Sequence, residues 1–410
     1  MNQAAPRTHD PYEALRIPEF RWYLLFAFAL TIGMLIQSVV MGWQVWEITH
    51  SALSLGLVGL AEAVPCLGFT MLGGYAADRM DRRLQAMLAN TLILLGAVIL
   101  LLLNLGGPPH SAWPFYVIQA LAGLGRAFSR PASHALRAEL VPRDVLQNAA
   151  TWNSSSFHAA MVLGPALGGL LFGFSGARLA FSCEVALVII AMAALLGVRP
   201  RPRPASISRG LFKDLKEGIQ FVTAKQVLMG AMSLDLFAVL FGGAPALLPI
   251  FASDILKVGP QGLGILRAAP AAGSILMALA LAHMPPLKRA GRTLLLSVGL
   301  FGLCWILFAF SRNLTLSLIL LALSGALDNI SVVVRQTLIQ LRTPAELMGR
   351  VSAVSSFFIT SSNEIGAFES GLAAQYLGLV PSVIFGGAMT LVVVGFVTWK
   401  APELRKLLKM

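Results

Sequence analysis

Ionisable residues inside long apolar runs of this chain include Glu62, Arg126, Asp235, Arg267, Asp328, Glu364 and Glu369. A charge in such a setting is costly, so it faces a cavity, pairs with another charge or moves a proton. A carboxylate there can exchange protons near neutral pH, and an arginine can receive an anion or tune a carboxylate. Glu62, Asp235, Asp328 and Glu364 are therefore the candidate proton carriers, and Arg126 and Arg267 the candidate anion binders. Some of these groups can instead form structural ion pairs, for instance Glu62 with Arg126. Glu364 and Glu369 stand about 140° apart around a helix, so they need not share a face. Gln37, Asn153, Asn329, Asn363 and His158 are polar companions, with His158 read as a packed residue. The histidines show no metal-ligand spacing. There is no phosphate loop of the Gly-x-x-x-x-Gly-Lys-Ser/Thr kind and no nucleophile-and-base arrangement. No metal or cofactor is expected, and the chain reads as a non-enzyme.

The elements that hold these residues follow from composition. The chain has 410 residues, is 57% hydrophobic and 12% charged, and has a mean hydropathy of +0.76. Soluble domains carry roughly 25% charged residues. So apolar a chain could not cover its own surface in water. These values exclude a soluble enzyme, a disordered tail and a fibrous repeat, and indicate an integral membrane protein.

The net charge of +12 is distributed as topology demands. Of the 31 Lys and Arg, 24 fall in seven short segments (1–21, 79–83, 137–143, 199–225, 288–292, 342–350 and 400–409). The alternate loops hold only Arg178, Lys257 and Arg312. That is the positive-inside bias, which places both termini in the cytoplasm and requires an even number of crossings. Basic and aromatic residues are not interleaved as a nucleic-acid groove needs. Cys66, Cys183 and Cys304 show no paired spacing, so buried free thiols are expected. Residues 1–20 show no cleavable signal peptide.

Apolar runs of about 20 residues suffice to cross a bilayer. Twelve are present, at about 22–46, 53–77, 84–104, 113–136, 147–173, 179–198, 226–251, 260–283, 293–311, 314–341, 349–375 and 380–399. Trp22, Trp46, Trp113 and Trp399 fall near their ends, as an interfacial belt would. The basic stretch 199–225 begins with alternating Arg and Pro and ends in an amphipathic segment, 211–222, suited to a membrane surface. It separates two halves that echo each other. Leu55-Gly56-Leu57 before Pro65 matches Leu263-Gly264-Ile265 before Pro270. Val141-Pro142 leading to Ser155-Ser156-Phe157 matches Thr343-Pro344 leading to Ser355-Ser356-Phe357. Both halves begin on the basic side, so the repeat is parallel.

The expected organisation is a cytoplasmic tail (1–21), a six-helix bundle (22–198), a cytoplasmic linker (199–225), a second six-helix bundle (226–399) and a second tail (400–410). The fold class is all-α integral membrane, with twelve transmembrane helices related by a parallel pseudo-two-fold repeat.

Gly74, Asp78, Arg79, Arg82 and Arg83 resemble the Gly-x-x-x-Asp-Arg/Lys-x-Gly-Arg/Lys-Arg/Lys signature of the major facilitator superfamily, with Asp81 in place of its second glycine. Gly73 and Gly74 permit close helix contact. The arginines can pair with Asp78, with lipid phosphate or with Glu139. Gly164, Pro165, Gly168 and Gly169 resemble the Gly-Pro-x-x-Gly-Gly motif of exporting members. The finer match is to the enterobactin-exporter-like, or transmembrane secretion effector, branch. It rests on Arg130-Pro131-Ala132, Leu140-Val141-Pro142, Gly164-Pro165, Thr343-Pro344 and Gly349-Arg350-Val351. The segments Ser362-Asn363-Glu364-Ile365-Gly366 and Glu369-Ser370-Gly371 look like a subgroup signature. One departure is that Gln119 stands four residues before Gly123, where the superfamily's helix-4 motif has arginine; the arginine is at Arg126 instead.

The resemblance implies a secondary active transporter, monomeric, in the bacterial inner membrane and working by alternating access. The Gly74–Arg83 motif would latch its halves in the outward-open state. A proton-coupled exporter of a small amphipathic or siderophore-like compound is the expectation. A lipid or lysolipid flippase, and a non-transporting membrane sensor or secretion accessory, are the alternatives.

Overall fold

The computed structural model describes residues 10–142, 144–199, 211–242, 244–284, 289–344 and 347–407. Helices are the only regular elements among them: α1 (Pro18–Thr49), α2 (Ala52–Arg79), α3 (Arg82–Leu103), α4 (Trp113–Leu140), α5 (Leu146–Leu196), α6 (Leu211–Ala224) and α7 (Gln226–Phe241), then α8 (Gly259–His283), α9 (Ala290–Phe310), α10 (Leu314–Arg342), α11 (Met348–Leu377) and α12 (Leu379–Lys400), with α13 (Pro402–Lys406) after them. Short helical turns over Ala244–Ile255, the last of them a π-helix, carry α7 onward, so the seventh crossing is broken where an unbroken run is expected.

The 51-residue α5 contains two crossings. Gly176 has φ 73°, ψ −173°, a conformation open to essentially no residue but glycine, which lacks a β-carbon. Gly164 before it packs on Ile32 and Leu35 of α1, and Glu184 after it packs on Gly33. Both arms thus lie against one level of α1, so the chain folds back at Gly176. The expected loop between the fifth and sixth crossings shrinks to that turn.

Nine described helices are long and apolar enough to span a membrane. One of them is the doubled α5. The other two crossings are α4 and α11, whose arginines and glutamates lower their apolarity. A crossing that carries charge must turn it away from lipid, so these two mark the polar interior.

Within each half the same neighbours recur. α1 packs on α5 and α2 on α4; α8 packs on α10 and α7 on α11. Gly123 of α4 sits against the carbonyl of Glu62, and Gly325 of α10 against that of Pro270. One shift along the chain carries Gly56 to Gly264 and Glu62 to Pro270; a second carries Gly123 to Gly325 and Gly169 to Gly371. The helices therefore repeat in space as they do in sequence. The Arg-Pro stretch beyond Arg199 lies outside the described residues, as do the side chains of 211–215. The rest of the amphipathic segment is helical, with Gly218 against Arg350 of α11 and Glu217 paired with that arginine.

Trp46 corrects the interfacial-belt expectation. It is buried, and its indole donates to Asp254 at 3.3 Å, whereas Trp22, Trp113 and Trp399 are exposed.

Candidate functional site: a polar pathway between the halves

The halves meet along two helix pairs, α2 with α11 and α5 with α8. Both seams are glycine on glycine. A β-carbon at Gly56 would stand 3.2 Å from the Cα of Gly371, and one at Gly264 would stand 2.9 Å from the Cα of Gly169. Small residues let helix backbones approach this closely. These seams lie toward the face away from the basic loops, called the far face below. Gln261 against Gly173, and Ser51 donating to Gln375, lie there too.

The exporter-like motif acquires a role here. Gly164 and Gly168 seat α5 on α1. Gly169 and the carbonyl of Pro165 meet α8 of the other half. Four small or kinking residues in one stretch thus form contacts in two directions.

Between the seams and the basic face, polar side chains form a chain. Gln37 of α1 donates to the Gln119 carbonyl at 3.1 Å, and Gln119 of α4 donates to one carboxylate oxygen of Glu62 at 3.0 Å. Arg126 of α4 pairs with the other oxygen. The Glu62–Arg126 pair named from sequence therefore exists, and Gln119 completes the shell of the carboxylate. Glu364 of α11 projects toward Gly59 of α2 and lies within electrostatic range of Glu62, Arg126 and Arg130. Arg130 donates across the interface to the Thr360 hydroxyl at 3.4 Å. Toward the far face Arg267 donates to the Ser38 hydroxyl of α1 at 2.7 Å, again between halves.

Other sequence candidates stand apart. Asp235 of α7 is buried in the second half and pairs with Arg335 of α10. Asp328 and Ser331 line a small enclosed space beside it. Asn329 is buried with its carbonyl oxygen unbonded, Asn363 bonds back to its own helix, and Glu369 and Asn153 are half-buried. Two buried charges are not among the sequence candidates. Arg335 was visible as an arginine in an apolar run, but its partner is distant in sequence. Glu184 also lies in an apolar run; it is fully buried on the second arm of α5, and neither oxygen has a hydrogen-bond partner among the described residues.

At the basic end the signature motif divides into distinct roles. A β-carbon at Gly73 would lie 2.0 Å from the carbonyl of Ala127, so Gly73 makes the close α2–α4 contact. Gly74, expected to share that role, faces open space, and Asp78 and Arg79 are exposed. Asp81 accepts from the Leu84 amide at 2.8 Å and caps α3, which explains an acidic residue where the superfamily has glycine. Arg82 pairs with Glu139 and joins α3 to α4; Arg83 reaches the Leu196 carbonyl, and Arg79 lies over the Tyr75 ring. Gln85, not singled out from sequence, donates to the carbonyls of Gly73 and Phe128 and ties three helices together. No group of three or more potential metal ligands occurs among the described residues.

Residues 9–407 match the family model described as transmembrane secretion effector. The chain is 27% identical over 399 residues to the enterobactin exporter EntS of Shigella boydii serotype 18, covering 95% of this chain and 93% of that protein. It is equally similar to the EntS of Escherichia coli O81. Among solved structures it resembles a bacterial homolog of the human lysosomal transporter Spinster (TM-score 0.72, 16% identity, 97% of each chain). It also resembles a D-xylose-proton symporter (TM-score 0.72, 16% identity, 97% of this chain and 99% of that one). Its fold is that of the major facilitator transporters, a class of membrane carriers and not of enzymes. The chain belongs to the transmembrane secretion effector family of that superfamily.

Proposed function

We propose that this protein is a proton-coupled exporter of small amphipathic, siderophore-like compounds, working as a monomer in the bacterial inner membrane with both termini cytoplasmic. The observation that carries the reading is the polar chain Gln37–Gln119–Glu62–Arg126 facing Glu364 across the two halves, with the halves sealed by glycine seams on one side of it. Charges are stable in a membrane where they face a pathway or one another, and this arrangement does both. The positive-inside bias makes the far face periplasmic, so the glycine seams close the periplasmic side.

In this mechanism the halves 22–198 and 226–399 rock as bodies. Glu364 and Glu62 exchange protons, while Arg126 holds Glu62 ready to release or take one. Asp78, exposed here, engages the other half only when the basic face closes, so the signature motif latches the outward-open state. The similarity to enterobactin exporters supports export and a siderophore-like cargo.

The test is accumulation of enterobactin by inside-out proteoliposomes with an acidic lumen. Accumulation that collapses with a protonophore and is lost in Glu364→Gln supports the reading. Accumulation indifferent to the gradient, or the absence of any uptake, counts against it.

A further inference from the structure

The described membrane arginines fall into two kinds. Arg126 and Arg335 each hold a carboxylate of their own half. Arg130 and Arg267 hold none, and each donates instead to a hydroxyl of the opposite half. Of these, Arg267 is the more enclosed. Its guanidinium lies against Gly42 of α1, where a β-carbon would stand 3.0 Å from Nη2, and beside Pro249. Among the described residues Ser38 is its one polar partner, and its Nε has none. A hydroxyl satisfies one N–H of a group that presents five and leaves the positive charge uncompensated. Unbalanced charge at this depth indicates a counter-ion that arrives from outside the chain.

We propose that Arg267 is the substrate-anion receptor of this transporter. It would take the carboxylate, phosphate or ionised phenolate of an amphipathic cargo, and that anion would displace Ser38. This site deepens the transport reading above and rests on it for the cargo's path. Ser38 belongs to the first half and Arg267 to the second, so an anion that takes the guanidinium removes a bond that helps to close the far face. Binding and opening of the far face are thereby linked through one side chain. Gly42 is part of the site, because any larger residue would fill the space beside the guanidinium.

The test is equilibrium binding of 1-naphthoate and of its neutral amide, 1-naphthamide, to the purified full-length protein in detergent. The wild type is expected to prefer the acid by about tenfold or more, as a charge-assisted pair should. Arg267→Gln is expected to bring the acid down to the level of the amide, and Arg267→Lys to retain part of the preference. Ser38→Ala, which frees the guanidinium, is expected to tighten the acid and leave the amide unchanged. Equal affinity of the wild type for both probes, no affinity for the acid, or a preference that survives Arg267→Gln would overturn the proposal. Repeating the titration in phosphatidylcholine nanodiscs with and without phosphatidylglycerol identifies the occupant. Competition by phosphatidylglycerol that vanishes in Arg267→Gln supports the anion site with a lipid phosphate in it; lack of competition supports it with free cargo. Vesicle transport separates the two levels. Uptake of enterobactin with no charge preference at Arg267 removes this site but not the transport reading, and the reverse result removes the transport reading alone.

Discussion

Asp235 of α7 and Arg335 of α10 form an ion pair sealed inside the second half, their side chains 8% and 3% exposed. Such a pair is a weak source of stability when intact, yet removing one partner strands the other charge and costs about 3–5 kcal/mol. Asp235→Asn is therefore expected to lower the thermal stability of the purified protein sharply, as is Arg335→Gln. The double variant should recover much of the loss, measured by scanning fluorimetry. Additive losses would show that the two charges act separately. A stable Asp235→Asn protein that has lost proton coupling would return Asp235 to the proton path.

Neighbouring glycines in the signature motif should separate by function. Gly73→Ala drives a β-carbon into the Ala127 carbonyl, so α2 and α4 must part; overpacking of this kind costs about 1–3 kcal/mol. Gly74→Ala meets nothing in this state and should leave stability unchanged. If Gly74 belongs to the latch, its substitution instead slows transport. Thermal stability and vesicle uptake on the two variants check both statements, and equal destabilisation by both would contradict them.

The far-face seam should control which state the protein occupies. A side chain at Gly264 would collide with the carbonyl of Pro165 and the backbone of Gly169. Gly264→Val is expected to push α5 and α8 apart and populate the state open to the far face. A single cysteine at Ser38, in a background lacking the three native cysteines, reports this through its reaction with an impermeant maleimide. Several-fold faster labelling from the far side is the expected result, and an unchanged rate would contradict it.

Much of this arrangement is legible in the sequence. Positive charge alternates with apolar runs because lipid and translocation impose both, and that alone gives the crossings and their pairing into halves. The Gly56/Gly264 echo is legible because close backbone contact tolerates only glycine. The Glu62–Arg126 pair is legible because opposite charges inside apolar runs must find a pathway or one another. What stays hidden depends on rotation about a helix axis, which an apolar sequence does not encode. Gly73 and Gly74 differ by 100° and meet a helix and open space respectively. Asp235 resembles a pathway carboxylate until Arg335 is found opposite it, and Trp46 resembles a belt residue until its indole is seen bonded to Asp254. Glu184 carries no motif at all.

Coupling of transport to protons through carboxylates between the halves can be read directly as proton release. A pH-indicating dye in weakly buffered detergent solution would record protons released when the transported compound is added to purified protein. Stoichiometric release that disappears in Glu364→Gln while the compound still binds is the expected result. Binding without any exchange of protons in the wild type would contradict it.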